Sequence, residues 1–245
     1  MKKILISQQL PSNLAPFNEI SRKYGVEVEF KPFFKIEPLS VAEFRAQRID
    51  LSAYTAVIFS SRLGIDAFFS LAEQLRIKIP ETMKYFCTTE VVAMYLQKHI
   101  VYRKRKIFFG DGSAASLVNI VGSKHKDEKF LITTSDNANS GTVTKLFSAA
   151  GLSYDVAVLL KSVAQDLHSV SLSDYGLVVL YNAYDVKSLQ ENFPDFSQGD
   201  IKFIAYGKNI VSAMEEAGLE IAFRGPSPEA PSAARTIELY LQENI

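Results

Sequence analysis

Polar residues with anion-binding chemistry follow a short apolar run near residue 60. Ser60, Ser61 and Arg62 come directly after the run AVIF. Hydroxyl and backbone N–H groups bind carboxylates, and a guanidinium can form two parallel hydrogen bonds with one. In the alternative interpretation, the serines cap the following helix and the arginine is solvated. We favour the binding role, because ligand sites in open α/β sheets lie where the strands end.

A glycine loop follows a second apolar run, in the segment IFFGDGSAASL. Gly110 ends the run, Gly112 follows it, and Ser113 begins a stretch of small residues typical of a helix start. Unpaired N–H groups at a helix start bind anions, which predicts a ligand role for Gly110 and Ser113. The loop has neither the Lys-Ser/Thr of a phosphate-binding loop nor the glycine spacing of a dinucleotide site. The alternative is a tight strand-to-helix turn without a ligand.

Other polar residues favour structural roles. Thr88 and Thr89 end another strand and are expected mainly to cap a helix, although we retain Thr88 as a binding candidate. Ser135 and Asp136 are expected in a helix cap or turn. Buried Cys87 has no histidine near it in sequence, so a structural thiol is favoured over a nucleophile. The sequence contains no zinc signature, paired-carboxylate motif or Ser-His-Asp pattern.

The elements that must position these residues alternate between strand and helix along the chain. The first helix is predicted to begin at Pro11 and to be closed by Gly25. Apolar strands alternating with helices predict parallel sheets covered on both faces. Two polar stretches interrupt the pattern, at residues 31–40 and 161–174. The segment before the first is too short to bury its own core, so it must join the segment after the second. We therefore predict a discontinuous domain of residues 1–36 plus 164–245, and a second domain of residues 38–160.

The composition indicates a globular protein with no strong electrostatic partner. The chain has 245 residues, 47% of them hydrophobic, with 27 Lys plus Arg against 27 Asp plus Glu. This balance argues against nucleic acid or a membrane surface as partner, and the basic run YRKRK is expected to be a solvated strand entry. One cysteine and no signal-peptide core predict a cytoplasmic protein. We also expect a monomer.

Several segments together resemble one protein family. The stretches FKPFFKIEPLS, AVIFSSRLGIDAFF, KYFCTTEVVAMYLQ, KIFFG and PSPEAPSAA resemble uroporphyrinogen-III synthases in order and spacing. The resemblance implies two doubly wound, flavodoxin-like α/β domains joined by a two-stranded linker, the first domain being discontinuous. It also implies closure of the linear tetrapyrrole hydroxymethylbilane to uroporphyrinogen III, with inversion of the terminal ring through a spiro intermediate. No metal or cofactor is implied, and the Gly110 loop would hold a substrate carboxylate or line the cleft.

The chain departs from the family pattern at three strand ends. Where Tyr-Arg-Thr is usual, it has Leu160, Lys161 and Ser162. The usual Ser-Pro-Ser-Gly is replaced by Asn182, Ala183, Tyr184 and Asp185. Only Gly207 remains of Gly-Pro-Thr-Thr, followed by Lys208, Asn209 and Ile210.

These departures leave two functions open. The family tyrosine is favoured for assisting loss of the substrate hydroxyl, and leucine cannot donate a proton. The enzyme could retain its activity through positioning, with Tyr184 or Tyr206 replacing the phenol. The alternative is a non-catalytic or repurposed paralogue that binds a carboxylate-rich small molecule. In either case we expect the altered residues to line the ligand cleft, with Asn182, Tyr184, Gly207, Lys208 and Asn209 as binding candidates.

Overall fold

A computed structural model describes residues 3–136 and 141–244, without the side chain of Lys208. Its elements in chain order are β1 (Lys3–Ile6), α1 (Ala15–Tyr24), β2 (Glu27–Phe30), β3 (Phe34–Pro38), α2 (Val41–Ala46), β4 (Ala56–Phe59), α3 (Arg62–Gln74), β5 (Lys84–Cys87), α4 (Glu90–Tyr95), β6 (Ile107–Phe109), α5 (Ala114–Val121), β7 (Lys129–Ser135), α6 (Gly141–Ala149), β8 (Ser153–Ala164), β9 (Tyr175–Leu180), α7 (Ala183–Asn192), β10 (Lys202–Tyr206), α8 (Lys208–Glu216), β11 (Ile221–Gly225) and α9 (Ala233–Asn244).

The chain divides into two compact units. Unit 1 comprises Met1–Lys35 and Val163–Ile245, and unit 2 comprises Ile36–Ser162. Each unit contains one sheet with helices on both faces. The predicted fold class, two parallel-sheet α/β domains, is confirmed.

The unit 1 sheet has the strand order β11-β10-β9-β1-β2, and all of these neighbours pair in parallel. Successive side chains in a strand point to opposite faces, so each strand contributes to two cores. Leu5, Val178 and Phe203 pack with residues of α7 and α8. Ile6, Val179 and Ile204 pack on the other face with residues of α1 and α9. The order of the strands reverses between β1 and β9, where open α/β sheets bind ligands.

The unit 2 sheet has the strand order β3-β8-β7-β4-β5-β6. The strands from β8 to β6 in this order pair in parallel. One core contains Phe59, Tyr85 and Leu159, with Phe68 of α3. The opposite core lies against α5 and α6, and its residues include Ile58, Phe86, Phe130, Leu117 and Phe147.

The two predicted polar interruptions are partly strands. β3 lies within residues 31–40, and β8 continues to Ala164, past the expected start of the second interruption. The Leu39 N–H donates to the Leu159 carbonyl at 2.9 Å, and the Gln165 N–H donates to the Phe33 carbonyl at 2.8 Å. This pattern is antiparallel, because residue numbers rise in one strand as they fall in the other.

Helix ends follow local chemistry. The first helix was expected from Pro11, but it begins at Ala15, where the Asn13 side-chain oxygen accepts from the Ala15 N–H at 3.1 Å. It ends as predicted at Gly25, which has a φ of 64°. Glycine adopts this left-handed conformation without a steric penalty. Within residues 3–136 and 141–244, no helix combines the length and apolar character required to cross a membrane.

Candidate functional site

Three loops meet at the carboxyl edge of the unit 2 sheet, after β4, β5 and β6. The Thr88 N–H donates to the Phe59 carbonyl at 3.0 Å, which joins the first two loops. The Gly112 N–H donates to the Thr88 carbonyl at 2.8 Å, which joins the second and third. The structure thus brings Ser60–Arg62, Thr88 and the Gly110 loop to one edge.

The loop after β4 presents a cation at this edge. Ser61 caps α3, because its hydroxyl accepts from the Gly64 N–H at 3.0 Å. Ser60 and Arg62 are exposed. The Arg62 guanidinium lies over the Tyr95 ring, 5.6 Å from its centroid, and has no carboxylate partner in the part of the chain that the structure describes. Arg62 is therefore available for a ligand carboxylate.

Asp66 holds Tyr95 in place beside Arg62. Its carboxylate accepts from the Tyr95 hydroxyl at 2.7 Å and from Lys98 Nζ at 3.0 Å, and lies 2.7 Å from His99 Nε2. Burial raises the pKa of Asp66, but these hydrogen bonds outweigh it and lower the pKa to about 2. Sequence reasoning missed this cluster because Asp66 and His99 are far apart in sequence.

Exposed apolar side chains occur around the same edge. Leu63 lies in the first turn of α3, Val91 and Met94 lie on α4, and Phe109 ends β6. Val91 is 58% exposed and Phe109 is 38% exposed. Exposed apolar groups close to polar ones are typical of small-molecule sites. Sequence reasoning missed these residues, because their types and periodicity do not distinguish them from core residues.

The backbone N–H groups of the glycine loop are not free to bind an anion. The Gly110 N–H donates to the Cys87 carbonyl at 3.0 Å, and the Asp111 N–H donates to Ser116 Oγ at 3.2 Å. The Ser113 N–H donates to Asp111 Oδ1 at 2.8 Å, and Ser113 Oγ caps α5. Since the Gly112 N–H is also bonded, the strand-to-helix turn accounts for every N–H from residues 110 to 113. A substrate contact by Gly110 or the Ser113 hydroxyl stays a prediction.

Gly110→Ala should lower the free energy of unfolding by about 1–3 kcal/mol. An alanine Cβ would lie 2.2 Å from Ser116 Oγ and 3.3 Å from the Thr88 carbonyl oxygen. Displacing Ser116 breaks its bonds to the Asp111 N–H and to the Ser113 carbonyl. Urea unfolding followed by circular dichroism measures the change.

Ser116→Ala provides the matched control for this substitution. The double variant should cost less than the sum of the two single variants, because Ser116→Ala removes the hydroxyl oxygen that the new methyl group at position 110 would strike. Strict additivity of the two costs would contradict the proposed clash.

Thr89 acts as the expected cap. Its hydroxyl accepts from the Val92 N–H at 3.4 Å at the start of α4. Thr88 is half-buried, and its carbonyl accepts from the Gly112 N–H. The binding role of the Thr88 hydroxyl stays a prediction. Asp136 lies in a turn directly after β7, as expected, and its carboxylate accepts from the Ser162 N–H at 2.9 and 3.0 Å.

The carboxyl edge of the unit 1 sheet contains a buried acid. Asp185 Oδ2 accepts from the Ser7 hydroxyl at 2.7 Å, the Tyr181 N–H at 2.8 Å and the Asn182 N–H at 3.0 Å. Its Oδ1 is buried and has no hydrogen-bond partner among the described residues. Burial raises the pKa of Asp185 to about 6, against the effect of these three hydrogen bonds. The protein's own carboxylate thus occupies the N–H groups that precede α7.

The start of α8, unlike the start of α7, has no side-chain cap. Its N-cap is Gly207, with a φ of 133° and no side-chain cap, and the Gly207 N–H donates to the Gly225 carbonyl at 2.7 Å. Asn209 is exposed in the first turn. The Lys208 side chain, another binding candidate, lies outside the described residues. The first N–H groups of α8 are therefore the better anion site of the two helix starts.

The two tyrosines proposed as replacement phenols have internal contacts. The Tyr184 ring lies 5.3 Å from the Phe34 ring, and Lys187 Nζ lies 4.9 Å from the Tyr184 centroid. The Tyr206 hydroxyl donates to the Pro231 carbonyl at 3.0 Å. Asn182 caps α7 through the Tyr184 N–H at 2.9 Å. Substrate contacts by these residues stay predictions.

Comparison with known proteins identifies the family. The family model described as uroporphyrinogen-III synthase HemD matches residues 15–234. The chain belongs to the uroporphyrinogen-III synthase family. No curated protein matches its sequence at a significant level.

Two solved structures share the fold. Uroporphyrinogen-III synthetase from Helicobacter pylori is 15% identical, with a TM-score of 0.55 and 100% of each chain covered. A mutant uroporphyrinogen III synthase from Thermus thermophilus is 14% identical, with a TM-score of 0.50 and 100% of each chain covered. These matches support the two-domain α/β architecture.

The segment Leu160–Ser162, predicted to stand in place of the family's usual Tyr-Arg-Thr, serves the fold of unit 2. Leu160 is 6% exposed and packs in the core. Lys161 Nζ pairs with Glu43 at 2.7 Å. Ser162 Oγ donates to Asp136 at 3.0 Å. The three side chains therefore have internal roles.

The expectation that every altered residue lines a ligand surface is wrong. Leu160 is buried in the core of unit 2, and Asp185 and Ile210 are each 0% exposed in unit 1. Asp185 is buried because its carboxylate takes the N–H donors before α7, and Ile210 because it faces the sheet from α8. Strand-end position was insufficient to predict exposure, since the first turn of a helix contains inward-facing positions as well.

Proposed function

We propose that this protein closes hydroxymethylbilane to uroporphyrinogen III, with inversion of the terminal ring and loss of water. Family membership over residues 15–234 supports this reaction class. The observation that carries the proposal is the exposed Arg62 guanidinium, which has no internal carboxylate partner among the described residues. The substrate is rich in acetate and propionate carboxylates, which a guanidinium binds with two parallel hydrogen bonds.

The surroundings of Arg62 suit the rest of the substrate. The Ser60 hydroxyl is exposed beside it, and exposed Val91 and Phe109 offer apolar contact to pyrrole rings. The groups around Arg62 bind and orient the bilane, and holding the reacting ends together supplies much of the rate enhancement. Considered by itself, unit 1 has an uncapped start of α8 whose N–H groups can bind a carboxylate.

Arg62→Ala should raise KM by about ten-fold or more, with a smaller effect on kcat. A carboxylate remote from the reacting carbon is bound equally in the ground state and the transition state, so its loss affects binding first. The assay measures type III and type I products by chromatography after oxidation. Arg45→Ala is the control, because Arg45 is exposed on α2 and lacks a described ion pair.

A second function is favoured by the segment at Leu160. With Leu160 in the core and Lys161 and Ser162 bonded internally, this segment presents no phenol to a ligand. A paralogue that only binds a carboxylate-rich small molecule would show Arg62-dependent binding of uroporphyrin. It would not form the type III isomer faster than spontaneous closure forms type I. The cytoplasmic location and the monomeric state stay predictions.

A further inference from the structure

A pocket lies at the opposite edge of the unit 2 sheet from Arg62, where β5 and β6 begin. Its volume is about 240 Å³, and its lining residues are Ile79, Pro80, Glu81, Tyr85, Ile100, Val101, Arg103 and Lys106. Most of these residues are apolar. Val101 is 79% exposed and adds aliphatic surface at the mouth of this pocket.

One consecutive run of cations borders this pocket, and two of its members, Arg103 and Lys106, line it. Arg103, Lys104, Arg105 and Lys106 are consecutive, whereas the whole chain has equal numbers of basic and acidic residues. The first three are exposed and have no carboxylate within ion-pair distance in residues 3–136 and 141–244. Lys106 Nζ donates to the Glu81 backbone carbonyl, and the Glu81 side chain is the one acidic group that lines the pocket.

The backbone fixes this cationic segment against the sheet. The Lys106 N–H donates to the Arg103 carbonyl at 2.9 Å, and the Tyr85 N–H donates to the Lys106 carbonyl at 2.7 Å. The segment is therefore anchored at the start of β6. Its charges consequently lie beside the apolar pocket at a defined position.

We propose that this surface, the pocket with Arg103–Arg105, binds an acidic segment of a partner protein. Carboxylates of that segment would pair with the cations, and aliphatic side chains between them would enter the pocket beside Val101. Charge complementarity with an apolar centre is typical of specific protein interfaces. Nucleic acid fits less well, because the aromatic residue that lines the pocket, Tyr85, is only 4% exposed and offers no platform for stacking bases.

Fluorescence anisotropy with a labelled peptide of alternating leucine and aspartate tests this surface without the tetrapyrrole substrate. We expect salt-sensitive binding that Arg103→Glu/Arg105→Glu weakens at least ten-fold. Val101→Asp should weaken peptide binding several-fold, because it places a carboxylate beside the apolar pocket. The substitution should not disturb the core, since Val101 is exposed. The matched control, Arg22→Glu/Lys202→Glu in unit 1, makes the same charge change on exposed residues and should alter binding less than two-fold.

Several results would overturn the proposal. They are the absence of peptide binding, equal binding by the Arg103→Glu/Arg105→Glu variant, and equally tight binding of an all-aspartate peptide or an oligothymidylate. Tighter association with phosphatidylserine vesicles than with the peptide would also contradict it and indicate a lipid surface. Loss of peptide binding in the variants with unchanged circular dichroism supports the proposal.

Discussion

Wild-type protein should gain about 2 kcal/mol of stability relative to Asp185→Asn when the pH falls from about 7.5 to about 4.5. Burial raises the pKa of Asp185 from its ordinary 3.8 to about 6. Between these values the folded protein binds a proton that the unfolded chain does not, so stability decreases as pH rises through this window. Each unit of pKa shift corresponds to about 1.4 kcal/mol. Well above pH 6, the raised pKa of Asp185 therefore lowers the free energy of unfolding by about 3 kcal/mol.

Urea unfolding of both proteins across this pH range measures the effect. Asparagine keeps the shape of the side chain and an oxygen that can accept from Ser7 and from the Tyr181 and Asn182 N–H groups. A stability difference that stays constant from pH 7.5 to 4.5 would show that the carboxyl titrates normally. Glu43→Gln is a control of opposite sign, because the Lys161 ion pair and Ser40 hydrogen bonds lower the pKa of Glu43 to about 2. Its stabilising contribution is lost as the pH falls from about 4.5 to about 2, so between pH 7.5 and 4.5 the Glu43→Gln difference should stay nearly constant.

Asp185→Ala should be more damaging than Asp185→Asn at every pH in this range. Truncation leaves the Ser7 hydroxyl and two backbone N–H groups without their acceptor, and burial denies them water. Unpaired buried groups of this kind cost about 1–3 kcal/mol each, so a total loss of about 3 kcal/mol or more is expected. Equal stability of the alanine and asparagine variants would show that the three hydrogen bonds contribute little.

The alternation of apolar strands and helices was sufficient to predict the α/β fold, because it continues along the whole chain. Leu5 and Ile6 illustrate the reason: adjacent strand residues enter different cores, which gives the continuous apolar runs of strands buried on both faces. Local signals such as Gly25 at the end of α1 were also readable. Helix starts were less reliable, because Ser12 and Asn13 both have capping side chains, yet the N-cap position of α1 is Leu14, without a side-chain cap.

The candidate site could be predicted only where neighbours in sequence are neighbours in space. Asn182 and Asp185 have the spacing of a capping box, but Ser7 is 178 residues away from its partner Asp185. Similarly, Arg62 meets Tyr95 only because α3 and α4 follow adjacent strands. The types of residue at the strand ends were visible in the sequence, whereas their exposure depends on packing between distant segments.

Turnover of hydroxymethylbilane should be about 10²–10⁴-fold slower than that of the Helicobacter pylori synthetase assayed beside it, if the proposed function holds. A positioned proton donor typically contributes this factor, and Leu160 is predicted to stand in the place of the usual tyrosine. Positional catalysis through Arg62 should remain. Rates of type III formation at equal enzyme concentration, corrected for spontaneous type I closure, give the comparison. Equal rates would show that this phenol is dispensable or that Tyr184 or Tyr206 replaces it.

Leu160→Tyr alone should fail to restore the rate, because the side chain at this position points into the core. Leu160 packs among residues that include Leu159, Phe59 and Tyr85, so a phenol would overfill the space and cost about 1–3 kcal/mol of stability. Exchange of residues 158–163, 182–185 and 207–210 for the family pattern should recover more activity, since it also removes Asp185 from the N–H groups before α7. Leu160→Met, which nearly conserves volume, is the packing control and should leave both stability and rate almost unchanged. Full recovery by Leu160→Tyr alone would mean that this strand turns its side chain towards the substrate during the reaction.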